Sequence, residues 1–148
     1  MFKGDLAYQS FNCNYVTSEW AGARASPSRA MPVNVSQAGK NRFVVTAYRD
    51  AMLDEDYYGK GVCHWDLTSI RVGISATGAK EDTVYVVHLV SKDIKPGSVI
   101  RQHYWKGDYP QLPGVGDTGN SGRRDPSEFG PTHRANLFSI TASVKGKS

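Results

Sequence analysis

The stretch Tyr57-Tyr58-Gly59-Lys60-Gly61-Val62-Cys63-His64-Trp65-Asp66-Leu67 decides how this chain is read. It sets a tryptophan two residues after a cysteine, and in an extended chain such a pair shares one face. Gly59 and Gly61 stand just before, where a turn would feed the strand. The alternation then changes phase: Cys63, Trp65 and Leu67 have one parity, and Ile70, Val72 and Ile74 the other. A one-residue slip flips every later side chain, so a bulge or bend is expected near Thr68-Ser69. The second cysteine, Cys13, sits in another strand-like run, Phe11-Asn12-Cys13-Asn14-Tyr15-Val16. From the residues alone, a bonded pair and two buried thiols look the same.

The same period of two continues outward. Residues 43–48, Phe-Val-Val-Thr-Ala-Tyr, are β-branched and aromatic and too short for a helix. Residues 83–90 are apolar on both parities, as in a strand covered on both sides, and 98–105 form another strand after the Pro96-Gly97 turn. In the last strand Phe138, Ile140, Ala142 and Val144 face one way, with Ser139, Thr141 and Ser143 opposite. Helix is expected only as short pieces over 50–57 and 131–136. Residues 18–37 read as a loop, and 106–136 as a long Gly/Pro-rich one. The expectation is one all-β domain over 1–148, a two-sheet antiparallel sandwich of Ig-like type.

Composition narrows the function. The chain has 148 residues, 39% hydrophobic and 22% charged, with a net charge of +4. The bases are scattered among acids, with no basic stripe and no named motif, which argues against a nucleic-acid partner. No apolar stretch has membrane-spanning length, and the first residues lack the apolar core of a secretory signal. Either the chain starts at Met1 in the cytosol or an export signal has been removed.

No catalytic constellation stands out. No serine lies in a Gly-x-Ser-x-Gly elbow, and strand alternation puts His64 on the face opposite Cys63. His64, His88, His103 and His133 lack metal-ligand spacing. The run Asp117-Thr118-Gly119-Asn120-Ser121-Gly122 with Asp125 is closer to a Gly-Asn turn than to a calcium loop. Asp54, Glu55 and Asp56 are adjacent, as in a solvated turn, rather than placed across a groove. No metal and no cofactor is expected. Long structureless loops in compact domains are commonly functional, and the 106–136 loop carries Tyr109, Asp117, Arg123, Arg124 and Asp125 as candidate partner contacts. Trp105 and Phe129 read as pins that hold it down. The turn with Asp54, Glu55 and Asp56 is the second candidate surface.

Several segments together carry a resemblance: Val45-Thr46-Ala47-Tyr48-Arg49-Asp50-Ala51, Tyr57 through Trp65 as quoted above, Ala76-Thr77-Gly78-Ala79-Lys80, and Asp125-Pro126 with Leu137-Phe138-Ser139-Ile140. As a set they resemble small exported proteins, often lipoproteins, of Gram-negative bacteria, similar to immunity partners of type VI secretion effectors of phospholipase-like kind. The resemblance implies a Cys13–Cys63 disulfide, a periplasmic location and a monomer that binds a cognate effector toxin. It also implies a possible lipid anchor ahead of the residues given. The alternative expectation is a periplasmic ligand-binding or cell-envelope module without catalytic activity.

Overall fold

The computed structural model describes residues 1–111 and 119–146. Strands dominate: β1 (Phe2–Gln9), β2 (Tyr15–Ser18), β3 (Ala23–Ala25), β4 (Ser28–Pro32), β5 (Asn34–Gln37), β6 (Phe43–Thr46), β7 (Asp66–Ile74), β8 (Tyr85–Val90), β9 (Val99–Trp105) and β10 (Leu137–Ser143). Among the described residues, helix is confined to α1 (Pro131–Arg134) and two 3-10 turns, Lys106–Asp108 and Pro126–Glu128. The chain is all-β. Among the described residues the strands form a four-stranded sheet, in the order β4-β1-β7-β8, and the ribbons β9-β10, β2-β3 and β5-β6.

The chain divides into two compact units, Asp5–Ile70 and Met1–Gly4 with Arg71–Ser148, so β1 and β7 each run from one unit into the other. No composition break marks this division. In β7 Leu67, Val72 and Gly73 are buried, and the strand runs on without a break through Thr68 and Ser69.

In the Arg71–Ser148 unit the buried apolar side chains include Val72, Val86, Leu89, Ile94, Ile100 and Tyr104. The Tyr85, Tyr104 and Phe138 rings pack with centroids 4.9–5.4 Å apart, edge-on or stacked. Such aromatic groups contribute beyond the area they bury. Tyr104 donates its buried hydroxyl to the Val86 carbonyl at 2.7 Å. β9 and β10 pair in full antiparallel register, from Leu137 opposite Trp105 to Ser143 opposite Val99. In β10 the half-buried parity is that of Phe138, Ile140 and Ala142, as the alternation predicts.

The Asp5–Ile70 unit has a thinner core: Leu6, Tyr8, Cys63 and Leu67. Tyr8 is fully buried and donates to the Tyr48 carbonyl at 2.5 Å. Cys13 and Cys63 are bonded, with Cα atoms 5.5 Å apart and a sequence separation of 50. A unit this small cannot bury much apolar surface, so the covalent link carries a large share of its stability.

Three expectations need correction, and one strand was not foreseen. Residues 18–37 are not a loop: they hold β3, β4 and β5, whose Ala/Ser/Arg pattern hides them because β4 is exposed along its length. Residues 50–57 form no helix; the segment is fixed by hydrogen bonds described below. The run Phe11–Val16 is extended only from Tyr15, the preceding residues forming a turn. The first strand is Phe2–Gln9, where Lys3 and Asp5 mask the alternation that buries Leu6 and Tyr8.

Loss of the disulfide should therefore be felt strongly. Closing a loop of this length constrains the unfolded chain by about 3–4 kcal/mol. Urea unfolding of Cys13→Ser/Cys63→Ser, against the parent with and without reductant, should show a loss of this order. A loss below about 1 kcal/mol would contradict the assignment.

Candidate functional site

The long segment before β10 is held down by its own hydrogen bonds. Asn120 bridges to the edge of β8, its N–H donating to the Val84 carbonyl and its carbonyl accepting from Val86 N–H, both at 2.7 Å. Arg123 exchanges backbone hydrogen bonds with His103 at 2.7 and 2.8 Å. The Asn120 amide also donates to Asp108 Oδ2 at 2.6 Å, and Gln102 donates its amide to the Ser121 carbonyl at 2.7 Å. His133 stacks on Trp105 with centroids 3.9 Å apart, and Arg134 donates to the Phe129 carbonyl at 2.8 Å.

Several predicted contact residues have partners inside this structure. Arg124 makes a forked ion pair with the buried carboxylate of Asp93, at 3.0 and 2.7 Å. Hydrogen bonding from Arg124 lowers the Asp93 pKa from 3.8 to about 2, against the opposing effect of burial. Asp125 accepts from Ser127 N–H at 2.9 Å, capping the 3-10 turn, and that bond lowers its pKa. Arg123 lies 3.7 Å from Glu128, with both side chains more than half exposed. Tyr109 is exposed. Asp117 lies outside the described residues.

The second predicted surface is built differently. Asp54 accepts from the His64 ring at 3.0 Å and from Trp65 N–H at 3.2 Å, and its pKa is lowered, first by the His64 bond. The Glu55 carbonyl accepts from Cys63 N–H at 3.0 Å, and Asp56 accepts from Lys60 N–H at 3.0 Å. Tyr57 packs edge-on against Trp65. Asn12 completes the framework: its amide donates to the Val62 carbonyl at 2.8 Å and its Oδ1 accepts from His64 N–H at 2.8 Å. Asn12 thus joins the residue before Cys13 to the residues on both sides of Cys63. The carboxylates of Asp54 and Asp56 order this loop. Cys63 is buried and His64 exposed, although β7 begins only at Asp66 and the expected strand does not reach them.

What the sequence did not reveal is how much apolar surface this unit leaves in water. Among the described residues, twelve of fifteen exposed large apolar or aromatic side chains belong to Asp5–Ile70, which makes this unit the stronger candidate surface. They include Phe11, Tyr15, Val16, Tyr57, Tyr58 and Val62, on the two segments that the disulfide joins. Trp20, at the turn between β2 and β3, is fully exposed. Two shallow depressions share Tyr58. One, of about 200 Å³, is lined also by Asn12, Asn14, Arg24 and Lys60. The other, of about 430 Å³, is lined also by Tyr15, Pro27, Ser28 and Arg29. The legible signal was Trp20 in a polar, small-residue turn, where no core could reach it.

Among the described residues, no group of three or more His, Cys, Asp or Glu side chains is placed to hold a metal ion. Among the described residues, no helix is long and apolar enough to cross a membrane. Comparison with protein-family models, curated proteins and solved structures returns no match. A functional reading therefore rests on the side-chain chemistry described above.

The Arg124–Asp93 pair yields a pH prediction. Asp93 has a lower pKa folded than unfolded, so its contribution is present above about pH 4 and is lost as pH falls through about 2. Allowing for the half-exposed guanidinium, that contribution is about 1–2 kcal/mol. Asp93→Asn should reduce stability at pH 7 by this order and flatten the acid limb of the stability curve between pH 4 and 2. An acid limb identical to that of the parent, measured by urea unfolding, would contradict the assignment.

Proposed function

We propose that this chain is a non-catalytic protein-binding module of the immunity type, a periplasmic inhibitor that neutralises a secreted antibacterial effector by stoichiometric contact. The observation that carries this reading is the crowding of exposed aromatic and apolar side chains on the disulfide-tied Asp5–Ile70 unit, with Trp20 fully in water. Trp and Tyr dominate binding hot spots. The disulfide agrees with an oxidising compartment.

The contact surface in this reading is the Asp5–Ile70 face. The segment before β10 is a scaffold, since Arg124 and Asp125 are engaged within the chain. For the Arg71–Ser148 unit we infer sandwich packing: Tyr85 of β8 packs on Tyr104 of β9 and Phe138 of β10, the kind of contact that two stacked sheets make.

The test is co-purification and calorimetry with the effector encoded by the adjacent gene. A complex should form, and Trp20→Ala should weaken it by about thirtyfold, as expected of a hot-spot residue. Alanine at Arg123, Arg124 and Asp125 together should change affinity by less than about threefold. Full affinity in Trp20→Ala, or no complex at all, would contradict the proposal.

A further inference from the structure

We infer that the partner presents an acidic segment to this protein, and that Arg24, Arg29 and Lys60 around Tyr58 receive its carboxylates; this rests on the protein-binding reading above.

The argument is one of charge placement. The Asp5–Ile70 unit contains six Lys and Arg against seven Asp and Glu, a formal charge of −1. Yet three of its six bases line the two depressions at Tyr58, and none of its seven acids does. A cationic pocket within a net-acidic unit is a local feature, not a by-product of the positive charge of the whole chain. Among the described residues, none of the three bases forms a salt bridge, whereas Arg123 and Arg124 do.

Two of the exposed acids nearest in sequence are already engaged within the chain. Asp54 is held by His64 and Trp65, and Asp56 by the Lys60 backbone N–H. The bases are left with unneutralised charge beside the half-exposed rings of Tyr15 and Tyr58. Guanidinium groups pair with carboxylates in a forked geometry, and aromatic rings add apolar contact at low entropic cost. A naked polyanion would exploit the charge alone. An acidic protein segment uses both the charge and the flanking apolar groups, Phe11, Val16 and Val62 among them. Opposite fields of this kind speed encounter and fix register.

The probe is a poly(Glu,Tyr) copolymer, titrated into the whole chain in about 150 mM NaCl and followed by calorimetry. Heparin and phosphatidylglycerol vesicles serve as comparison arms. The copolymer should bind with saturation, and raising NaCl to about 500 mM should weaken it. Arg24→Ala/Arg29→Ala/Lys60→Ala should bind it at least about tenfold more weakly, while Lys80→Ala/Lys95→Ala/Lys145→Ala should bind as the parent does. Circular dichroism and thermal melting check that both variants fold. Tighter binding of heparin or vesicles than of copolymer would overturn the inference in favour of a glycan or membrane. Equal copolymer affinity in the two triple variants would overturn it outright.

The effector complex separates the two ideas. If Arg24→Ala/Arg29→Ala/Lys60→Ala keeps full affinity for the effector while Trp20→Ala loses it, protein binding stands and the acidic counterpart falls. If no effector binds but the copolymer still depends on the three cations, the site stands and the inhibitor reading falls.

Discussion

The Cys13–Cys63 disulfide is the constraint on which the Asp5–Ile70 unit depends. The bond joins the turn after β1 to the irregular segment before β7, across 50 residues of sequence. Asn12 repeats the link without covalency, reaching Val62 and His64 on either side of Cys63. Among the described residues, Leu6, Tyr8, Pro27 and Leu67 join Cys63 as the buried apolar residues of this unit. Hydrophobic burial on that scale leaves little margin over the entropy of ordering the chain. Cross-linking removes part of that entropy from the unfolded state, which a larger core would not need.

The same constraint explains how aromatic side chains can stay in water without disordering the surface that bears them. Residues 53–65 lack regular structure, yet Asp54, Glu55, Asp56 and Tyr57 each close a bond within the segment. The fixed backbone holds Tyr57, Tyr58 and Val62 outward at defined positions. A surface ordered before binding has less conformational entropy left to lose on association. The Arg71–Ser148 unit is organised on another principle, an aromatic cluster of Tyr85, Tyr104 and Phe138 in which Tyr104 donates its hydroxyl to the Val86 carbonyl.

The sequence disclosed the features governed by local periodicity. β8, β9 and β10 stand within one or two residues of where alternation placed them. β4 escaped notice because an exposed strand needs no apolar alternation. The Arg124–Asp93 pair spans 31 residues, and no local pattern couples such positions. Arg123, Arg124 and Asp125 therefore looked alike in sequence, although two of them act inside the fold. The Tyr58 depressions gather residues from 12 to 60 and became visible only once the disulfide had brought their segments together.

The account makes the Asp5–Ile70 face the binding surface and the segment before β10 its support. Hydrogen–deuterium exchange of the protein with and without the neighbouring effector addresses this most directly, since it maps protection along the whole chain. The account predicts new protection concentrated in residues 11–24 and 57–62, with residues 119–136 unchanged. Protection confined to 119–136, with 11–24 and 57–62 exchanging as in the free protein, would contradict it.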